Sequence, residues 1–383
     1  MLNEQQQSAQ EQILAFLQSS ANEIILQGFA GTGKSYLINS IKDSYEQMVG
    51  LGLAEPKEWV FLATTHKACE ILRAQGLKAQ TVHSFYSINI MDRPTGKMVH
   101  IPNNTVIVID ECSYLNYDVL HVIQSYISSN SKVIYVGDRN QLTPVGLNHC
   151  PVYYQDIPMV ILTHAVRQQN TPCIADYCSQ LRNAVENSLD TPPIPLTNNI
   201  IKLSESDFKD KTKDIFNHSQ YKRLLALKNT TVQKFNKHIC PRDIEVGDWL
   251  VNNSATKYLP NNAYVQVVHI EGRETIMGVN CICYTVKYYG NDYHIYVPLS
   301  ATGLSRARNK AKQTGTWDLY HSMADLRLPY AQTIHKAQGS TYKEVFIYLD
   351  DLKQCETKKE RNRLLYVAFS RATDRVYITG DFQ

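Results

Sequence analysis

The chain has 383 residues, which at roughly 150 residues per domain implies two or three domains and excludes a single small module. Hydrophobic residues make up 43% and charged residues 20%, so there is material for real cores and a wholly disordered chain is excluded. Lys and Arg total 39 against 36 Asp and Glu, a net charge of +3 that neither demands nor forbids a polyanionic partner.

Residues 4 to 18 carry Ala9, Ile13, Leu14 and Leu17 at helical spacing, and the short apolar run 23 to 26 that follows reads as a strand leading into a glycine-rich turn. Three further pairs of a strand with a turn or helix follow over 59 to 72, 106 to 115 and 132 to 142, each a short β-branched or aromatic run that ends in polar residues. That is the pattern of buried parallel strands presenting chemistry at their carboxyl ends. Between His83 and Thr105 the pattern changes to two short strands around Asp92-Arg93-Pro94-Thr95-Gly96, a predicted β-hairpin. Residues 163 to 240 mix helices with a strand at 223 to 229. The stretch 245 to 298 holds Tyr/Val/Ile-rich strands broken by Asn, Gly and Pro, and predicts a small β-barrel inserted into a second α/β domain. A strand at 344 to 350, a helix through Leu364 to Phe369 and a strand at 375 to 380 close that second domain.

Nine cysteines show no C-x-x-C pair, and the single C-x-C, Cys281 and Cys283, puts both on one strand face, so neither a zinc site nor a disulfide framework is indicated. The polar opening lacks a basic region followed by an apolar one, and no apolar run approaches the roughly 18 residues that span a bilayer. The expectation is a soluble, cytoplasmic protein in a reducing compartment, without membrane contact.

Gly28 to Ser35 match G-x-x-x-x-G-K-[ST] directly after a strand and before a helix, the context a phosphate loop needs. Gly31, Thr32 and Gly33 place backbone N–H groups around phosphates, Lys34 neutralises the terminal ones, and the Ser35 hydroxyl suits Mg²⁺. Asp110 and Glu111 lie beyond the tip of a buried strand, where adjacent acids divide into a Mg²⁺-holding and a water-polarising role. Gln141 is placed to sense a terminal phosphate. Arg167 and Arg371 are candidates to neutralise charge developing on it, with an internal salt bridge the lesser alternative for Arg371 on its long apolar face.

Several segments together resemble superfamily 1 DNA helicases in motif order. They are the phosphate loop, Asp110-Glu111, GDRNQLTPV (137 to 145), LTHAVRQ (162 to 168), TIHKAQGST (333 to 341) and LLYVAFSRA (364 to 372). The nearest group is superfamily 1B, resembling the phage T4 Dda helicase, with RecD- and Pif1-type helicases more distant, and the resemblance spans nearly the whole chain. It implies two RecA-like P-loop motor domains binding ATP and Mg²⁺ between them, with a pin in the first and a small SH3-like barrel in the second. The implied limits are 1–162 for the first motor domain with its pin at about 86–104, 163–241 with 326–383 for the second, and 242–325 for the barrel.

The resemblance further implies that Gln6, within three consecutive glutamines, reads adenine and that Gly339 lies at the nucleotide. It also implies that Thr65, His66, His83 and Ser84 contact single-stranded DNA, joined by Thr333, His335 and Lys336 from the second domain. On residue type alone a hydrogen-bonded strand-end residue is the favoured reading of each histidine. The pin's apolar tip is Met91 or Met98, unless the hairpin merely caps the core. Arg306, Arg308, Lys310 and Lys312 form either a solvated face or a nucleic-acid track near Tyr264, Tyr284, Tyr288 and Tyr289. The sequence departs from the family in having Ala263 where Gly is usual and in a shorter barrel insertion. The implied activity is an ATP-dependent DNA helicase with 5′ to 3′ polarity, acting as a monomer on single strands and duplex junctions alongside replication or recombination proteins. A translocase that strips proteins without unwinding, and a non-hydrolysing DNA-binding scaffold, are the rival readings.

Overall fold

The computed structural model describes residues 2–382 apart from 90, 91, 97, 98, 100, 169, 255 and 301. The first 162 residues build a six-stranded parallel sheet from β1 (Glu23–Gly28), β2 (Glu58–Ala63), β3 (Ala79–Thr81), β4 (Thr105–Asp110), β5 (Lys132–Gly137) and β6 (Met159–Leu162). Its order is β3-β2-β4-β5-β1-β6. β4 and β5 are buried almost throughout, which is why they read as continuous β-branched runs rather than alternating ones. Parallel order sends the carboxyl ends of β1, β4 and β5 to one edge, so the phosphate loop, Asp110-Glu111 and the Asp138–Gln141 turn converge there.

β7 (Ile200–Lys202) and β8 (Lys222–Ala226) begin a second parallel sheet. The chain then leaves it for an antiparallel sheet of β9 (Trp249–Asn252), β10 (Tyr264–Ile276), β11 (Val279–Tyr288), β12 (Asn291–Pro298) and β13 (Leu326–Arg327). It returns for β14 (Ala331–Thr333), β15 (Tyr342–Tyr348) and β16 (Ala372–Thr379), giving the order β14-β8-β15-β16-β7. Leu326–Arg327, expected to open the resumed second α/β region, pairs instead with β9, so the parallel sheet resumes only at Ala331. The antiparallel sheet runs β12-β11-β10-β9-β13. Tyr296 N donates to Ser322 O at 2.9 Å and Ala324 N to Tyr296 O at 3.0 Å, joining edge strand β12 to the segment leading into β13. The sheet thereby curls back on itself around Leu250, Val265, Val286 and Ile295.

Among the described residues the expected hairpin at 86–104 holds one antiparallel bridge, Ile88 with Pro94, flanked by Asn89 N donating to Arg93 O and Thr95 N to Ser87 O, both at 2.9 Å, around the positive φ of Asp92. Ile88, Val99 and Ile101 pack onto the core under the first sheet, so this part of the segment caps that core. Met91 and Met98 lie outside the described residues. The basic run from 306 to 312 lies on the helix Gly303–Thr314, whose Ala307 and Ala311 are buried, so helical spacing replaces strand-like alternation. Of the four tyrosines beside it in sequence, Tyr284 belongs to the antiparallel core and Tyr289 is exposed. All nine cysteines are free, and among the described residues no helix is long and apolar enough to cross a membrane.

Candidate functional site

The phosphate loop follows β1 and precedes the helix Lys34–Gly50. Its geometry depends on glycine at two points. Gly31 has φ +82°, and a Cβ there would lie 2.6 Å from Arg167 Cβ; a Cβ on Gly28 would meet Thr32 Oγ1 at 2.6 Å. Lys34 Nζ donates to Gly28 O at 2.7 Å and Phe29 O at 3.2 Å, folded over the loop it would share with phosphates. Ser35 sits one residue on, half-buried at the helix start.

Asp110 ends β4 and accepts from Glu111 N at 2.9 Å. Burial, and then the Glu111 carboxylate, raise the Asp110 pKa to about 7, with Lys34 pulling the other way. A cation bound against this carboxylate would relieve that cost, so the donor set fits Mg²⁺. Glu111 itself has φ +54°, a left-handed conformation unusual for a non-glycine residue and concentrated at functional sites.

Gln141 is 3% exposed; its Nε2 donates to Asp138 Oδ2 at 3.3 Å, while its Oε1 has no hydrogen-bond partner among the described residues. A buried amide oxygen left open beside a phosphate loop suits a water or hydroxyl donor. Gln6 is 5% exposed and closes a capping box with Asn3, while its Nε2 donates to Thr32 O at 2.9 Å. Its neighbour Gln5 accepts from Thr163 N and His164 N, both at 3.0 Å, so two of the three glutamines touch the cleft rim.

The second α/β unit completes the cleft. Val166 N and Arg167 N donate to Gly31 O at 2.8 and 3.1 Å, and Arg167 Nη1 donates to Ser370 O at 3.3 Å. Burial and the neighbouring Arg371 lower the Arg167 pKa to about 10, with the Glu111 carboxylate pulling the other way. Arg371, 2% exposed, donates only to Val367 O, Ser340 O and Ser370 Oγ. Among the described residues it therefore has no carboxylate partner, and the internal salt bridge left open by the sequence is not formed. Gly339, at φ +80°, places its Cβ direction 3.7 Å from Glu111 Oε1.

Sequence reasoning missed the residues that tie the two units together. Gln338 Nε2 donates to Glu111 Oε2 at 3.1 Å and to Ser113 Oγ at 3.3 Å, and its Oε1 accepts from Tyr114 at 2.8 Å. Tyr366, fully buried on the helix Lys358–Phe369, donates to Asp138 Oδ2 at 2.6 Å and accepts from Ala30 N in the phosphate loop at 2.9 Å. Arg363 on the same helix donates to Arg139 O at 3.0 Å and also bonds Gln141 O. Both Gln338 and Tyr366 stood inside quoted motifs. The one signal for Tyr366 was a hydroxyl within an otherwise apolar run.

The residues expected to touch a strand fall into two groups. Thr65, at the end of β2, and Thr333, at the end of β14, each cap a helix by accepting from the N–H three residues on, at 3.2 and 3.3 Å. Ser84 is exposed; His83 pairs with Asp92 at 2.6 Å, and burial followed by Arg73 lowers the His66 pKa. His335 is exposed, and Lys336 bonds Asn253 across to the antiparallel sheet. Burial, then Arg327, bring the Lys336 pKa down to about 8. Tyr114 reaches His335 O at 3.4 Å, so the second group adjoins the loop that carries Asp110 and Glu111.

Residues 1–191 match the AAA domain family, and residues 328–379 match the UvrD-like helicase C-terminal domain. The chain is 24% identical to the uncharacterized protein R530 of Acanthamoeba polyphaga mimivirus, over 98% of this chain and 99% of that protein. It is 22% identical to the ATP-dependent DNA helicase dda of Enterobacteria phage T4, over 98% of each. Among solved structures it is similar to a pair of coordinating Pif1 helicases at forked dsDNA, with a TM-score of 0.59 and 17% identity over 100% of this chain and 92% of that one. It is also similar to Pif1 helicase from Bacteroides in complex with ADP-AlF3 and ssDNA, with a TM-score of 0.52 and 18% identity over 100% and 93%. These likenesses establish the fold, two α/β units built on parallel sheets.

Proposed function

We propose that this chain, which belongs to the superfamily 1B DNA helicases resembling Dda, hydrolyses ATP in the cleft between its two α/β units and uses the cycle to move along single-stranded DNA and open duplexes. The observation that carries this reading is convergence. Four groups from the second unit, Arg167, Gln338, Tyr366 and Arg371, reach or face the phosphate loop and the acids of the first. Such an arrangement stabilises charge on a transferring phosphoryl group only when the units close, so closure and hydrolysis are one event.

In this reading Gly31, Thr32, Gly33 and Lys34 hold the phosphates, Gln6 meets the adenine and Gly339 borders the nucleotide. Ser35 and Asp110 hold Mg²⁺, which when bound supplies charge neutralisation at the phosphates. Glu111 polarises the attacking water, Gln141 senses the terminal phosphate, and Arg167 and Arg371 neutralise the developing charge. The motor domains run over 1–162 and over 163–241 with 331–383, and the inserted SH3-like barrel runs from 242 through Leu326–Arg327, which pair with β9. Thr65, His66, His83 and Ser84 on one unit and Thr333, His335 and Lys336 on the other contact the strand, which moves 5′ to 3′. The segment 86–104 meets the duplex junction, and a monomer suffices.

The test is ATP hydrolysis with and without single-stranded DNA, run beside unwinding of duplexes carrying a 5′ or a 3′ tail. Stimulated hydrolysis with opening of the 5′-tailed duplex alone is expected. Stimulation without opening of either duplex refutes strand separation and leaves a translocase. No stimulation refutes the motor.

A further inference from the structure

A second cavity, of about 610 Å³, adjoins the nucleotide cleft where both α/β units and the antiparallel sheet meet. Lys67, Arg167 and Arg223 face it, and no carboxylate belongs to its lining. Ser219, Ser340 and Thr341 add hydroxyls. Lys67 has one carboxylate partner among the described residues, Glu70 at 3.2 Å, which stands outside the cavity wall.

Arg223 is the telling residue. It is 3% exposed, its Nη2 donates to Ser219 O at 2.9 Å, and its Nε and Nη1 have no hydrogen-bond partner among the described residues. Its guanidinium lies 5.0 Å from the centre of the Tyr342 ring, another wall of the cavity, and it forms no ion pair among the described residues. A guanidinium held out of water without an anion is costly, and a phosphoryl group in the cavity that Arg223 lines would supply the missing charge.

The cavity shares a wall with the catalytic centre. Gly339 and Ser340 line it, the first beside Glu111 and the second accepting from Arg371 Nη1 at 3.2 Å. Arg167, whose N–H bonds the phosphate loop, stands in the same wall. We propose that this cavity is a phosphate site that receives the orthophosphate formed by hydrolysis as it leaves the terminal-phosphate position. The proposal rests on the nucleotide reading above. Water adds across the terminal P–O bond in the cleft, leaving ADP and orthophosphate, and no bond forms or breaks in the cavity itself. A backbone phosphate of a bound strand has the same chemistry and is the alternative source.

The experiment is equilibrium dialysis of radiolabelled inorganic phosphate against the full chain saturated with Mg²⁺ and a non-hydrolysable ATP analogue, which fills the terminal-phosphate position. One phosphate per chain is expected. Its affinity should fall at least tenfold in Arg223→Gln and about threefold in the half-buried Lys67→Gln, with analogue affinity unchanged in both. Absence of bound phosphate, or equal binding by wild type and both variants, overturns the proposal. Adding a saturating thymidine oligonucleotide separates the sources: phosphate retained supports the product. Displacement, with weaker oligonucleotide binding by Arg223→Gln, overturns the product assignment in favour of the strand. Failure of the analogue itself to bind strikes the nucleotide reading instead.

Discussion

Replacing Tyr366 by Phe removes one oxygen atom and with it two hydrogen bonds between the α/β units. The hydroxyl donates to the Asp138 carboxylate at 2.6 Å and accepts from Ala30 N at 2.9 Å, and the residue is 0% exposed. A bond to a charged acceptor contributes about 1.5–3 kcal/mol, and a buried N–H left unpaired costs about 1–3 kcal/mol. Opening the cleft admits water to both orphaned groups, so the net loss falls on closure and is smaller than the sum, about 2–3 kcal/mol. That corresponds to roughly a 30- to 150-fold shift in the closed-to-open ratio. Each unit keeps its own core, because Leu364, Leu365, Val367 and Phe369 belong to a cluster drawn almost wholly from the second unit, with only Ala30 and Leu142 from the first among its buried members. The melting temperature should therefore move little while kcat/KM for ATP at saturating single-stranded DNA falls by one to two orders of magnitude. Steady-state hydrolysis paired with thermal denaturation checks both. Catalytic constants within twofold of wild type would show that the Tyr366 contact is incidental to turnover.

Lys34→Ala and Glu111→Gln should each reduce DNA-stimulated hydrolysis by at least about 10². Glu111→Gln should retain nucleotide affinity in a filter-binding assay and Lys34→Ala should lose it; full turnover by either variant contradicts its assigned role. Gln338→Leu removes a buried donor to Glu111 and an acceptor for Tyr114, and should cut the stimulation by DNA more than tenfold while ATP affinity changes less than threefold. Equal stimulation in variant and wild type would detach Gln338 from coupling. Lys336, at about pKa 8, is charged below that pH and neutral above it. Burial and Arg327 hold the pKa down while Asp325 opposes them, so single-strand affinity should weaken as pH rises from 7 to 9. Lys336→Arg keeps its charge throughout and should flatten that profile, measured by fluorescence anisotropy; an equally steep profile in the variant places the titration elsewhere.

What the sequence made legible was chemistry fixed to strand ends. A phosphate loop, an Asp-Glu pair and a Gln after Gly137-Asp138 each follow a short apolar run. Parallel pairing of β1, β4 and β5 then leaves them no choice but to converge. Arg371 was legible as a buried cation on an apolar helix, but its lack of a carboxylate was not, because partners distant in sequence decide that. The turn residues at 92 to 96 marked the reversal in 86–104, where Ile88 and Pro94 form an antiparallel bridge flanked by backbone bonds from Asn89 N to Arg93 O and from Thr95 N to Ser87 O. Tyr366 was hidden by being aromatic in an aromatic-tolerant run. The cavity around Arg223 was illegible altogether, since its walls come from segments near 67, 167, 220, 249, 264, 329 and 340, and no periodicity links them.

The segment from Thr333 to Ser340 explains how a strand can govern hydrolysis. Thr333 caps a four-residue helix, Ile334–Ala337, which carries His335 and Lys336, the residues proposed above to contact DNA. Directly after it Gln338 bonds Glu111, Gly339 turns the chain at φ +80°, and Ser340 O holds Arg371. A helix of one turn, pinned at its start by β14 and at its end by buried Gln338, has no internal slack to absorb a displacement. Moving His335 or Lys336 by an ångström onto a phosphate therefore moves Gln338 by a similar amount. Hydrogen bonds weaken steeply with distance and angle, so at 3.1 Å that motion decides whether the Glu111 carboxylate is held or released. Tyr114 bonds both Gln338 and the His335 carbonyl, so the acid-bearing loop of the first unit follows the same displacement. In the proposed motor, binding a strand and aligning Glu111 are thus one movement of eight residues, with no longer route through either core required.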